Sequence, residues 1–206
     1  MKKNAVIANR ETGETLTMLV SEEENGGAMQ LYRVLLPPHR PNPPLHYHVV
    51  FTETFTAVEG TLDMYLGRER RHLRLNAGES MTVQLYQPHR FANTSNQPCT
   101  MTVETSPAGG VVKAFQLAYG VANDGDAAKD GLPRNVLVRL RFVAISQGFL
   151  PALPLAVQRA VFAVAAILAK IFGVEARVKR YLDTEQVPCN SSVWCRCNCR
   201  APPNSS

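Results

Sequence analysis

Residues 43–60 read PPLHYHVVFTETFTAVEG, and this stretch decides the fold. His46 and His48 stand two apart, and Glu53 follows five positions later. On an extended chain, side chains two apart share a face, so both imidazoles can project inward together. Five is odd, so in one straight strand Glu53 would face away from them. The chain must therefore turn around residues 50–52, letting Glu53 open a new strand and face inward again. That strand alternates Glu53, Phe55, Ala57 and Glu59 against Thr54, Thr56 and Val58, and Gly60 permits a tight turn at its end. Further along, PHRFAN at residues 88–93 supplies one more histidine, His89. These four side chains are read as the ligands of one metal ion inside a small β-barrel. Imidazole and carboxylate suit iron, manganese, nickel, copper or zinc. Three nitrogens and one oxygen leave positions open on an octahedral ion for water, substrate or dioxygen, which points to catalysis more than to structure.

The flanking sequence agrees with a barrel. Short segments rich in β-formers recur at residues 5–8, 15–20, 28–36, 61–67, 70–78, 80–86 and 99–107, punctuated by Gly, Asn and Pro. That spacing indicates an antiparallel sandwich or barrel. Residues 21–27 (SEEENGG) read as a polar loop, and the proline-rich residues 37–44 as a stiff extended rim over which substrate enters. A lone His-x-His is more often a surface or packing feature; Glu53, Gly60, the strand pattern and His89 together carry the metal reading. His72, in GRERRHLRL, reads as part of a solvated hairpin, and His39 as a residue at the barrel mouth at most.

The pattern His-x-His, four residues, Glu, six residues, Gly resembles the first motif of the cupins, at His46, His48, Glu53 and Gly60. Gly78, His89 and Asn93 resemble the second motif, although its Pro-x-Gly turn is replaced by Gln84-Leu85-Tyr86-Gln87. The resemblance covers roughly residues 28–106. It implies a mainly β fold, an antiparallel double-stranded β-helix (the cupin jelly-roll barrel), with a divalent transition metal and pairing into a homodimer. Beyond the barrel the chain resembles a bacterial cupin subgroup with C-terminal helices, at Gly131, Pro133, Asn135, Pro154, Gln158, Arg159 and Gly173.

The expected organisation is a barrel over residues 1–107, a helical extension packed on it over 108–186, and a disordered Cys-containing tail over 187–206. In the extension, VVKAFQLAYGVA reads as a helix ended by Gly120. VLVRLRFVAISQGFL is β-rich by propensity but helical in layout, and residues 154–172 form the most apolar helix, with Pro154 at its start and Gly173 at its end. That last helix is about 28 Å long, close to a bilayer's hydrocarbon thickness. Gln158, Arg159 and Lys170 weigh against a span. Packing on the barrel or a second subunit is the preferred reading, and an interfacial membrane helix the lesser one. The tail holds Cys189, Cys195, Cys197 and Cys199, whose spacing matches no usual zinc pattern.

Composition excludes little. Hydrophobic content of 45%, charged content of 19% and a net charge of +5 are ordinary for a globular chain. The basic clusters lack interleaved aromatics, so no nucleic-acid partner is expected. The N-terminus is too short in apolar residues for a signal peptide, and the cytoplasm is the default. Two functional classes follow. One is an enzyme acting on a small oxygenated molecule: a dioxygenase, as resemblance to quercetin-dioxygenase-like cupins implies, or a Lewis-acid isomerase or hydrolase. Glu53 would then double as ligand and catalytic base. The other is a non-catalytic barrel that binds or senses a small ligand.

Overall fold

The computed structural model describes residues 1–40, 43–128 and 130–183. The proposed tail at 187–206 lies outside the described residues. Nine strands are followed by four helices. The first sheet has the order β1-β2-β3-β9-β4-β7, built from Val6–Ala8 (β1), Thr15–Val20 (β2), Gln30–Leu36 (β3), Thr52–Glu59 (β4), Ser80–Val83 (β7) and Cys99–Ser106 (β9). The second has the order β6-β5-β8, from Thr61–Leu66 (β5), Arg71–Asn76 (β6) and His89–Ala92 (β8). All pairings are antiparallel.

Alternation along the strands decides which face is buried. On β3, Tyr32, Val34 and Leu36 point into the core, and on β9 Cys99, Met101 and Val103 do the same. From the second sheet Leu62, Met64 and Phe91 face them, and Phe55 meets Phe91 at 5.5 Å between ring centroids. Each large apolar side chain so buried contributes about 1.5–3 kcal/mol. On the outer face of the first sheet, β4 and β7 are joined by hydroxyl pairs, Thr54 to Thr82 at 2.9 Å and Thr56 to Ser80 at 2.8 Å.

The inward alternation of β4 holds for Glu53, Phe55 and Ala57 and then fails. Pairing with β9 shifts between Ala57 and Glu59, and this bulge turns Glu59 outward, where it accepts from the Thr100 hydroxyl at 3.2 Å. Gly60 is obligatory: its φ is +74°, and a Cβ there would lie 2.7 Å from the Pro98 carbonyl oxygen. The loop at residues 21–27 contains a short 3-10 helix, Glu22–Glu24, fixed by a capping box between Ser21 and Glu24.

The helices are Val111–Asn123 (α1), Val136–Ser146 (α2), Leu155–Ile171 (α3) and Val174–Asp183 (α4). α1 is buried on two sides. Val111, Val112, Ala118 and Tyr119 join the barrel core, whereas Leu117 and Val121 pack with Val138, Val178 and Tyr181 in a second, smaller core. Gly120 does not end α1, which runs on to Asn123; a Cβ there would meet the Tyr181 ring at 2.3 Å, so the glycine serves helix packing instead. Helical layout wins over β-propensity in α2, whose N-terminus is capped by the Asn135 side chain accepting from the Val138 amide at 3.1 Å. α3 packs on α2 and α4. Among the described residues no single helix is long and apolar enough to cross a membrane; α3 and α4 pass only as a pair bent by 96°.

Candidate metal centre

Residues 46–48 form a short extended segment held on both sides. His46 exchanges two backbone hydrogen bonds with His89 (3.0 and 2.7 Å), and Tyr47 exchanges two with Phe149 (both 2.9 Å). The first bridge ties the two motifs together directly. Strand alternation then sends His46 and His48 inward and Tyr47 outward. The turn expected around residues 50–52 is present, and Glu53 enters from β4. His89 opens β8 although the turn before it lacks glycine: Tyr86 takes φ +62° itself, and its amide donates to the His48 carbonyl at 2.8 Å.

Four side chains meet in this space. One ligand atom each from His46, His48, Glu53 and His89 lies within 4.8 Å of all the others, a spread close to the diameter of about 4.2 Å across a ligand sphere of nitrogen and oxygen donors. His89 is fully buried, His48 and Glu53 are 4% exposed, and His46 is half-buried. Glu53 Oε2 lies 2.8 Å from His89 Nε2 and 3.2 Å from His48 Nε2. His72 is elsewhere, bound to Asp63 at 2.7 Å, and His39 is exposed on a turn.

The outer ring nitrogens are all spoken for. His46 Nδ1 lies 2.9 Å from the Pro44 carbonyl, His48 Nδ1 2.9 Å from the Gln147 carbonyl, and His89 Nδ1 3.1 Å from the Gln87 carbonyl. A carbonyl only accepts, so each Nδ1 carries a proton and donates it. Nε2 is then the nitrogen turned to the centre: with a proton it donates to Glu53, and without one it presents a lone pair. Burial, followed by the neighbouring His89 and His48, pushes the His46 pKa down to about 3, so this ring is neutral at physiological pH. For Glu53, burial raises the pKa, but the charges and hydrogen bonds of His48 and His89 outweigh it and hold the carboxyl below the usual carboxylate range.

Three contributors carry no signal in the motif. The first is the Gln147 carbonyl, turned toward His48 because Gln147 caps α2 in the left-handed conformation at φ 54°. The second is Gly148, where a Cβ would stand 3.4 Å from His46 Cδ2 and 3.8 Å from His48 Cε1. The third is Tyr32, whose phenol is raised well above its ordinary pKa by burial and then by the Glu53 charge. One inward row of the first sheet is polar: Gln30 and Glu53 are both register partners of Thr105. Gln30 Oε1 and Thr105 Oγ1 are buried without a hydrogen-bond partner among the described residues.

Residues 32–104 match the family model of the cupin domain. Over this range the barrel is similar to a cupin domain. No curated protein matches the chain significantly. Solved structures similar to this chain include a predicted oxalate decarboxylase from Thermotoga maritima (19% identity, 46% of this chain and 80% of that one, TM-score 0.42). The polyketide cyclase RemF from Streptomyces resistomycificus is another (19% identity, 52% and 70%, TM-score 0.41). A sugar phosphate isomerase of the cupin superfamily from Silicibacter pomeroyi is a third (21% identity, 48% and 62%, TM-score 0.39).

Proposed function

We propose that this chain binds a single divalent transition-metal ion through His46, His48, Glu53 and His89, and acts as a metal-dependent enzyme on a small oxygenated organic molecule. The observation that carries the reading is the locking of all three Nδ1 protons onto main-chain carbonyls. It turns the Nε2 atoms of His89 and His48 to the Glu53 carboxylate, at 2.8 and 3.2 Å. Protons on Nε2 can make these contacts in the metal-free protein, and one ion shared by the four ligands would take their place, releasing them on binding. Carbonyl partners on the outer nitrogens also fix ring orientation, as ligating histidines require.

When bound, such an ion supplies Lewis-acid polarisation of a substrate oxygen or one-electron chemistry with dioxygen. The rest is the work of this chain's own residues. His46, the half-buried member, marks the side from which a ligand reaches the centre. Thr105 Oγ1 and Gln30 Oε1 offer unused hydrogen-bonding capacity in the row of Glu53, which favours a substrate rich in oxygen. Tyr32 stays protonated to high pH, held so by burial and by the Glu53 charge. Glu53 is a ligand first. As a base it has to give up the histidine contacts that keep it ionised.

Elemental analysis of protein purified without added metal tests the centre. Wild-type chain retains a transition metal, and His48→Ala loses most of it; full occupancy in His48→Ala refutes the site. Oxygen uptake with flavonols and diketones tests the dioxygenase form of the reaction. Metal-loaded protein that binds such molecules and turns none over reduces the reading to a sensing or storage barrel.

A further inference from the structure

α3 wears its apolar side outward. Gln158, Ala165 and Ala169 form its buried stripe, whereas Val157, Val161, Val164, Ile167 and Ile171 are 43–69% exposed. These five recur at spacings of four and three, so they lie on one face of the helix. The face continues past both ends, through Leu153 (49% exposed) before the helix and Phe172 (70%) after it. Contiguous apolar surface on this scale marks a docking site.

The charge around the face selects the occupant. Between Asp130 and Glu175 the chain carries Arg134, Arg139, Arg141, Arg159 and Lys170 and no carboxylate. Arg139 pairs with Asp130 and Arg141 with Glu175. Arg159 and Lys170 are both exposed on one flank of the helix, between the apolar face and the buried stripe, and make no ion pair among the described residues. A second copy of the chain is a poor fit. A twofold axis through the middle of the stripe, near Val164, would set Arg159 of one copy and Lys170 of the other on the same side of the pair, with no carboxylate on either helix to offset them. An acyl boundary beneath a layer of anionic headgroups answers both features, taking up the valines and isoleucines and neutralising the two cations. We propose that the outward face of α3 docks on the surface of an anionic lipid bilayer, lying in its plane. The 96° bend into α4 sets the Ile171-Phe172 corner as the most exposed point of contact.

Vesicle flotation of the full chain tests this, comparing phosphatidylcholine vesicles with mixed phosphatidylcholine–phosphatidylglycerol vesicles. The wild-type chain is expected to float with the mixed vesicles and to be released by salt. The double variant Arg159→Gln/Lys170→Gln should partition about 30-fold more weakly, and Val164→Asp/Ile167→Asp should lose binding. Both pairs are exposed, so circular dichroism should match the wild type; if the Asp pair does not fold, the Gln pair decides. A wild-type chain that ignores anionic vesicles overturns the proposal, as does binding unaffected by either pair. A lipid-indifferent dimer that Val164→Asp/Ile167→Asp converts to monomer also overturns it and assigns the face to a second copy.

Discussion

Thr105 illustrates what a single buried hydroxyl can report. It lies between Gln30 and Glu53 in register, is fully buried, and has no hydrogen-bond partner among the described residues. Leaving such a group unsatisfied costs about 1–3 kcal/mol, a cost that persists where a bound molecule completes the bond. Thr105→Val keeps the shape and removes the orphan. The expected result is a melting midpoint equal to or above that of the wild type, with metal content unchanged and binding of oxygenated substrates weakened. A clear drop in melting midpoint would mean that the hydroxyl is already bonded in the free protein. The four clustered side chains were legible in the sequence because their chemistry resides in side chains at strand spacing. The group that orients His48 was not: it is a main-chain carbonyl, ninety-nine positions away at Gln147, and any residue type carries one. Thr105 and Tyr32 were legible only as inward-facing strand positions, because which neighbours they meet depends on the sheet order β3-β9-β4.

At the scale of elements, the approach of α1 to α2 controls how the extension meets the barrel. Gly110 starts α1, and a Cβ there would fall 1.8 Å from the backbone oxygen of Ile145 near the end of α2. Neither partner is a flexible side chain, so the helices themselves must part. Gly110→Ala is expected to destabilise by about 2–3 kcal/mol, in line with overpacked cores, read as a lower urea midpoint. Gln147, which holds His48, follows Ile145 by two residues. The same substitution should therefore weaken metal retention at temperatures where the protein is still folded, and unchanged retention would uncouple the extension from the centre. Sequence reasoning misjudged glycine here. Gly120 looks like a helix stop, but its role is to admit the Tyr181 ring from α4, a contact made only once the chain has folded back. The end of α3 was readable because it is local: Gly173, at φ +70°, turns the chain, and its amide donates to the Lys170 carbonyl at 3.2 Å.

For the whole molecule, the second sheet is held from its central strand by one acid. Asp63 on β5 is 1% exposed and accepts from His72 Nε2 at 2.7 Å and Arg74 Nε at 3.0 Å, both on β6. It also accepts from Thr94 Oγ1 at 2.5 Å, beyond β8, so one carboxylate joins three successive pieces of chain. Burial raises its pKa, but the hydrogen bonds from Thr94, Arg74 and His72 prevail and hold it below the ordinary aspartate value. A group whose folded pKa is depressed contributes stability that is present above its unfolded pKa and lost as pH falls through the folded one. The contribution should therefore be complete at neutral pH and fade below about pH 4. His72 and Arg74 are about half exposed, with side chains at 47% and 53%, so water screens their share. Asp63→Asn keeps the shape and removes the charge. At neutral pH it should cost about 1–2 kcal/mol, and that difference should shrink as urea midpoints are followed down to about pH 3, because protonation brings the wild type to the same neutral state. A gap that stays constant over this range would show that the Asp63 charge does not govern the acid stability of the barrel.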